Sequence, residues 1–232
     1  MTRYRFLLFD ADYTLLDFDA DMTAAFEKMY AHCGFDKQQP YSEETLKRYE
    51  ACNVRWWGNF EQQLCTKQEL YVNRFVDFLK ETGLSGDPEE MNRVYFDFLA
   101  QGGATYPGAI ELLEALSAQY EIYIITNGNA VSSKNRLERS GLLPFVKDIF
   151  VSETVGVGKP DKRYFDYVAA HIQNYAPEQA LVIGDSMSSD ILGAHNAGLH
   201  SLWYTGVWVD PNQKAPFTYR AESYDEIKRI LL

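Results

Sequence analysis

Two hydrophobic rhythms alternate along the chain, and the points where they change divide it. Phe6-Leu-Leu-Phe9 is a continuous apolar run that passes directly into Asp10-Ala-Asp12. Such a short apolar run predicts a strand buried on both faces, over residues 4–10. From 17 to 101 the spacing becomes helical: apolar residues recur three or four apart at Met22, Ala25, Phe26, Met29 and Tyr30, at Leu46 and Tyr49, and at Leu70, Phe75, Phe78 and Leu79. Breakers fall between these groups at Gly34, Pro40, Gly83, Gly86 and Pro88. The block reads as about four helices of ordinary length, without a strand. From 105 onward strands and helices alternate. Strands are predicted at Glu121–Thr126, Asp148–Ser152, Ala180–Asp185 and His200–Tyr204. Helices are predicted after Pro107, over 130–140, over 162–173, from beyond Asp185 to Gly198, and over 222–232. Pro107 suits the first turn of its helix.

Apolar strands separated by helices predict a parallel sheet covered on both faces. The fold class is therefore α/β, a Rossmann-like doubly wound parallel sheet with an inserted α-helical domain. Residues 1–16 and 102–232 form the α/β core, and 17–101 form the insertion. In such sheets ligands bind beyond the carboxyl ends of the strands. The polar residues at those ends are Asp10, Asp12, Thr126, Asn127 and Asp185.

Composition narrows the choices. A chain of 232 residues is long for one core, which fits a main domain carrying an insertion. The net charge of −11 argues against a nucleic-acid polymer as partner, because such partners need clustered Lys and Arg. The three cysteines, Cys33, Cys52 and Cys65, are odd in number and lack a CxxC spacing, so a disulfide framework or a zinc site is not expected. The N-terminus is a poor signal peptide, and no apolar run approaches the ~20 residues needed to span a bilayer. The expectation is a cytoplasmic protein with no membrane partner, as a monomer or homodimer.

Taken singly, the polar groups have ordinary readings. Asp10 and Asp12 also suit a loop, and Gly184-Asp185-Ser186-Met-Ser-Ser-Asp190 also suits a strand end and helix cap. Thr126-Asn127-Gly128 also suits a turn. Together they supply hard oxygen ligands for Mg²⁺, with Thr126 and the backbone near Asn127 placed to hold phosphate oxygens and Lys159 adding a point charge.

The set Asp10-x-Asp12, Thr126, Lys159-Pro160 and Gly184-Asp185-(x)4-Asp190 resembles the four motifs of the haloacid dehalogenase superfamily, in order and in strand context. The resemblance implies an HAD-like core with 17–101 as a helical cap. It implies Asp10 as nucleophile forming an aspartyl-phosphate, and Asp12 as acid and then base. It implies Thr126 and Asn127 binding phosphate, and Lys159 steadying the charge. Mg²⁺ is then held by the Asp10 side chain, the Asp12 backbone carbonyl and Asp185, with Asp190 supporting from a second layer. A carboxylate at position 12 favours phosphate monoester hydrolysis over dehalogenation. Tyr13 stands where many members have Gly, and Phe9–Asp19 together with Glu153–Pro160 resembles the pyrimidine 5′-nucleotidase branch.

The resemblance thus implies a small phosphorylated metabolite as partner, a nucleoside monophosphate with a pyrimidine base. Specificity falls to the cap, where Trp56 or Trp57 either offers a stacking face or packs the cap core or its hinge, Asn59 offers an amide, and Arg55 either a phosphate contact or a solvated charge. Trp203–Trp208 reads as the far edge of the site or as packing. The rivals are a sugar-phosphate phosphatase or phosphomutase with the same core, and a phosphate sensor or scaffold without turnover.

Overall fold

The computed structural model describes residues 4–207 and 214–232, so Trp208 lies outside the described residues. The first strand, β1 (Phe6–Phe9), is buried at every position and ends before Asp10. Four helices follow: α1 (Phe18–His32), α2 (Glu43–Glu61), α3 (Lys67–Thr82) and α4 (Pro88–Leu99). The chain continues through α5 (Ala109–Ser117), β2 (Glu121–Thr126), α6 (Ala130–Arg139), β3 (Asp148–Val151), α7 (Ser152–Val155) and α8 (Lys162–His171). It closes with β4 (Ala180–Gly184), α9 (Leu192–Ala197), β5 (His200–Tyr204), β6 (Tyr219–Ala221) and α10 (Tyr224–Leu231). Two compact units result: Met1–Phe18 with Gly103–Leu232, and Asp19–Gly102.

In the first unit all six strands run parallel in the order β3-β2-β1-β4-β5-β6. Phe9 pairs with Ile124 on one side and Ile183 on the other, so β1 is central. Successive side chains on a strand face opposite sides. Leu7, Phe9, Ile122, Ile124, Leu181 and Ile183 accordingly join one core with Leu112, Leu116 and Ile227. Phe6, Leu8, Tyr123, Ile125 and Val182 join the other, with Tyr164, Val168 and Ala194. This alternation accounts for the uninterrupted apolar runs: both faces of the sheet are covered.

The chain leaves and re-enters this unit side by side. Leu16 forms an antiparallel bridge with Thr105. Asp17 N–H donates to the Ala104 carbonyl at 2.9 Å, and Tyr106 N–H to the Leu15 carbonyl at 3.1 Å.

In the second unit the helix starts are written in the sequence. Ser42 caps α2 through Thr45 N–H, Thr66 and Glu69 form a reciprocal capping box on α3, and Asp87 caps α4 with Pro88 in its first turn. The core is aromatic: the Phe26 and Tyr49 rings stack at 4.3 Å, with Phe75 and Phe78 beside them. Arg74 is buried among these rings and donates to Asn53 Oδ1 at 2.9 Å and Asn92 Oδ1 at 3.1 Å.

Several elements depart from the sequence reading. Pro107 precedes its helix instead of opening it, because Gly108 (φ 89°) caps α5 in a left-handed conformation that a helix interior excludes. β1 is shorter than 4–10, and α8 stops at His171. The three-residue edge strand β6 carries too little hydrophobic pattern to announce itself. Between β4 and α9, Met187–Ile191 makes one π-helical turn, with Ile191 N–H reaching the Ser186 carbonyl at 3.1 Å.

Candidate active site

β1 and β4 are neighbours in the sheet although two other strands, β2 and β3, separate them in sequence, so the winding direction reverses between them. Two loops diverge there and open a crevice. Asp10 follows β1 and Asp185 follows β4. The Asp10 N–H donates to the Ile183 carbonyl at 2.8 Å, which extends the ladder and fixes where its side chain begins.

Asp10, Asp185 and Asp190 are all buried, and each offers a carboxylate oxygen within 4.8 Å of the other two. One cation faces them. Lys159 uses all three ammonium protons: to Asp10 Oδ1 at 2.5 Å, Asp190 Oδ1 at 2.6 Å and the Ile125 carbonyl at 2.9 Å. Asp190 is held further by Ser186 N–H at 3.1 Å. Thr14 places one hydroxyl between the other two acids, 3.1 Å from Asp185 Oδ1 and 3.4 Å from Asp10 Oδ2. It has a single proton and satisfies one of them at a time.

Three carboxylates and one ammonium leave an excess of negative charge in a desolvated place. Burial pushes Asp10 up to about 8; Lys159 opposes this, and the Asp190 and Asp12 charges add to it. Burial, then the charges of Asp10 and Asp190, raise Asp185 well above the carboxylate range. Burial alone would lower the Lys159 ammonium, but the flanking Asp10 and Asp190 outweigh it and raise its pKa, keeping it charged.

The remaining loop residues are set by local bonds. The Asn127 side chain pairs reciprocally with the Lys159 backbone, donating to its carbonyl at 2.8 Å and accepting its N–H at 2.9 Å. A Cβ on Gly158 would stand 2.5 Å from Asn127 Oδ1, so this pairing needs glycine there. Thr126 Oγ1 accepts the Gly128 N–H at 3.0 Å. The Asp12 carboxylate points to Arg136, whose Nη1 donates to Oδ1 at 2.6 Å. Tyr13 holds φ 62°, the left-handed conformation that a glycine would take without cost.

Thus Asp10, Lys159, Asp185 and Asp190 share one cluster, Asn127 is fastened to Lys159, and the Asp12 side chain has a separate partner. Arg55, Trp56, Trp57 and Asn59 belong to α2 of the other unit. There Arg55 is shared by Asp77 at 2.8 Å and Glu81 at 3.1 Å, and Trp56 Nε1 donates to Asp77 at 2.9 Å. The Trp57 ring meets Phe60 edge-on at 5.9 Å.

Three contributors have no assigned role in the sequence reading. Thr14 had a signal, being a hydroxyl two residues beyond Asp12. Arg136 had none, since an arginine in a polar helix reads as a solvated face. Trp203, whose indole N–H donates to the Asp185 carbonyl at 2.8 Å, was read only as edge or packing.

Comparison with known proteins identifies the family. The sequence profile of the haloacid dehalogenase-like hydrolases matches residues 4–198. The chain is 37% identical to the HAD-hydrolase YfnB of Bacillus subtilis (strain 168), over 100% of this chain and 97% of YfnB. It is 35% identical to the pyrimidine 5′-nucleotidase PynA of Streptococcus pneumoniae (strain ATCC BAA-255 / R6), over 97% and 93%. It is 31% identical to the pyrimidine 5′-nucleotidase YjjG of Escherichia coli (strain K12), over 99% and 98%. The crystal structure of YfnB bound to magnesium superimposes with a TM-score of 0.89, covering 99% of both chains at 38% identity. Matches of this length span both crevice loops and the lysine between them, and on that ground the chain belongs to the haloacid dehalogenase-like hydrolase family.

Proposed function

We propose that the protein is a Mg²⁺-dependent phosphomonoester hydrolase that works through an aspartyl-phosphate and prefers pyrimidine nucleoside 5′-monophosphates. The observation that carries the reading is the unbalanced cluster: Asp10, Asp185 and Asp190 buried together against the one ammonium of Lys159. The donors are all hard oxygens, and two of the three carboxyls are driven towards protonation by their surroundings. A divalent cation between Asp10 and Asp185 would relieve that repulsion, so the residues fit Mg²⁺. The Asp10 and Asp185 side chains and the Asp12 carbonyl would hold it. When bound, it supplies positive charge for the phosphoryl oxygens and keeps Asp10 ionised.

The protein's own groups then divide the reaction. In the first step an Asp10 oxygen forms a bond to phosphorus, the phosphorus–oxygen ester bond breaks, and Asp12 gives a proton to the departing oxygen. In the second, Asp12 takes a proton from water, whose oxygen attacks phosphorus and frees phosphate and the Asp10 carboxylate. Thr126 directs its proton, and Asn127 its backbone N–H, at the phosphoryl oxygens. Lys159, steadied by Asp190, neutralises charge as it builds. The nucleotide preference is supported by the names of PynA and YjjG, which align along nearly the whole chain. In the cap, Trp57 and Asn59 are assigned to the base, while the Arg55–Asp77–Trp56 cluster orients that turn.

The test is a panel of mononucleotides and sugar phosphates, assayed with Mg²⁺ and with EDTA against an Asp10→Asn control. Pyrimidine mononucleotides are expected to give the highest kcat/KM. Higher values for sugar phosphates would refute the substrate. No metal-dependent turnover above the control would refute the hydrolytic mechanism.

A further inference from the structure

The Asp12 carboxyl has to meet the leaving oxygen, yet it stands on a loop with its side chain 24% exposed. Its partner is unusual for a partly exposed acid. Arg136 lies within α6 with its side chain only 2% exposed and donates to Asp12 Oδ1 at 2.6 Å. The bond engages Oδ1, which leaves Oδ2 as the oxygen available for proton transfer. We propose that Arg136 is a positioning residue that fixes the Asp12 carboxyl in the orientation from which Oδ2 protonates the leaving oxygen. The proposal rests on the phosphomonoesterase reading above.

The arginine is itself held firmly. The Phe18 ring lies 5.3 Å from its guanidinium carbon, and the Tyr13 ring packs on Phe18 at 5.5 Å. Its helix has no room to shift at that turn: a Cβ on Gly103 would come within 2.8 Å of Arg139 Cβ and 3.0 Å of the Arg136 carbonyl. Asp12 is fixed from its own side by a backbone bridge to Leu16. A carboxyl turns through a broad torsional well, and proton transfer needs it within hydrogen-bond reach. A charge-assisted bond from a planar, buried donor removes that freedom. Because α6 starts directly after Thr126-Asn127-Gly128, the segment proposed to hold the phosphate also carries the residue that aims the acid.

Leaving-group chemistry separates this role from a structural one. A p-nitrophenolate departs without a proton, whereas a sugar hydroxyl does not. We would measure kcat/KM of the full chain with Mg²⁺ for a pyrimidine nucleoside 5′-monophosphate and for p-nitrophenyl phosphate. Since general acid catalysis is worth about 10²–10⁴ in rate, Arg136→Met is expected to lower the nucleotide-to-aryl ratio at least about tenfold. Arg136→Lys should recover part of that loss. Phe18→Leu, which keeps both charges and loosens the guanidinium, should lower the ratio about threefold by a partial loss of the same effect. If Arg136→Met does not fold, Arg136→Lys and Phe18→Leu are read on the same ratio. A ratio unchanged in the folded variants, whatever the absolute rates, would overturn the positioning role alone. Failure of the unaltered protein to hydrolyse either ester would overturn the phosphomonoesterase reading with it.

Discussion

Tyr13 illustrates how one residue can be tolerated against its own preference. An L-residue in the left-handed region costs about 1–2 kcal/mol, and Tyr13 sits there at φ 62°. Its N–H donates to the Leu16 carbonyl at 3.0 Å, and its ring packs on Phe18. These contacts offset the strain, so the turn that many members build with Gly is kept without it. The two terms can be separated. Tyr13→Ala and Tyr13→Gly both remove the ring, but only Gly relieves the backbone. Tyr13→Gly should therefore be more stable than Tyr13→Ala by about 1 kcal/mol in urea denaturation, the reverse of their usual order. Equal stabilities would mean that the conformation carries no strain. At this scale the sequence was partly legible. Asp10, Asp12 and Asp185 could be read because charge at a strand end is conspicuous, and Lys159 and Asp190 because they complete a motif set that resembles a known family. Arg136 could not, because what distinguishes it is burial, and burial is a property of the neighbours.

Among the elements, the junction of β4 with its π-helical turn governs the cluster most closely. The turn folds Asp190 back over the end of the strand, where it reaches Lys159 and Ser186 N–H. Gly184 makes this possible. A Cβ there would lie 2.3 Å from Asp190 Oδ2 and 2.4 Å from its Cγ. Gly184→Ala should push the turn away from β4, cost about 1–3 kcal/mol as an overpacked site, and free Lys159 from one of its two carboxylates. Urea denaturation together with kcat for phosphate ester hydrolysis would show both losses. An unchanged kcat would mean that Asp190 does not steady Lys159. The strand run Ala180–Gly184 was legible because it is continuously apolar. The turn after it was not, since Ser186, Ser188 and Asp190 satisfy a helix cap and a π-turn equally well. The insertion was legible as a block of about four helices from its apolar spacing and its breakers, while the individual starts of α2, α3 and α4 are set by side chains that accept a backbone N–H, a finer signal than that spacing.

For the whole molecule the crowded acids become a statement about stability. Asp10 rises from an ordinary 3.8 to about 8, so the fold favours its protonated form. A raised pKa gives stability that is fully present below the unfolded value and lost as pH climbs through the folded one. Without metal, stability should therefore fall between about pH 4 and pH 8. Thermal melts in EDTA at pH 5 and pH 8 would measure the fall, with Asp10→Asn as the variant that lacks this titration. The Tm of the unaltered protein relative to Asp10→Asn should drop at pH 8, and Mg²⁺ should restore more there than at pH 5. The opposite trend would mean that Lys159 already balances the cluster. No described helix is long and apolar enough to cross a membrane. The paired segments Leu15–Asp17 and Ala104–Tyr106 carry a last consequence, one of ancestry and modularity. Because the chain departs and returns at hydrogen-bonded neighbours, the sheet is topologically closed before the helical insertion is added. A gene could acquire, exchange or discard that insertion at a single seam without cutting a strand. Replacing Asp19–Gly102 by a hairpin-length linker of about four residues should yield a minimal hydrolase core that still folds, and far-ultraviolet circular dichroism would test it.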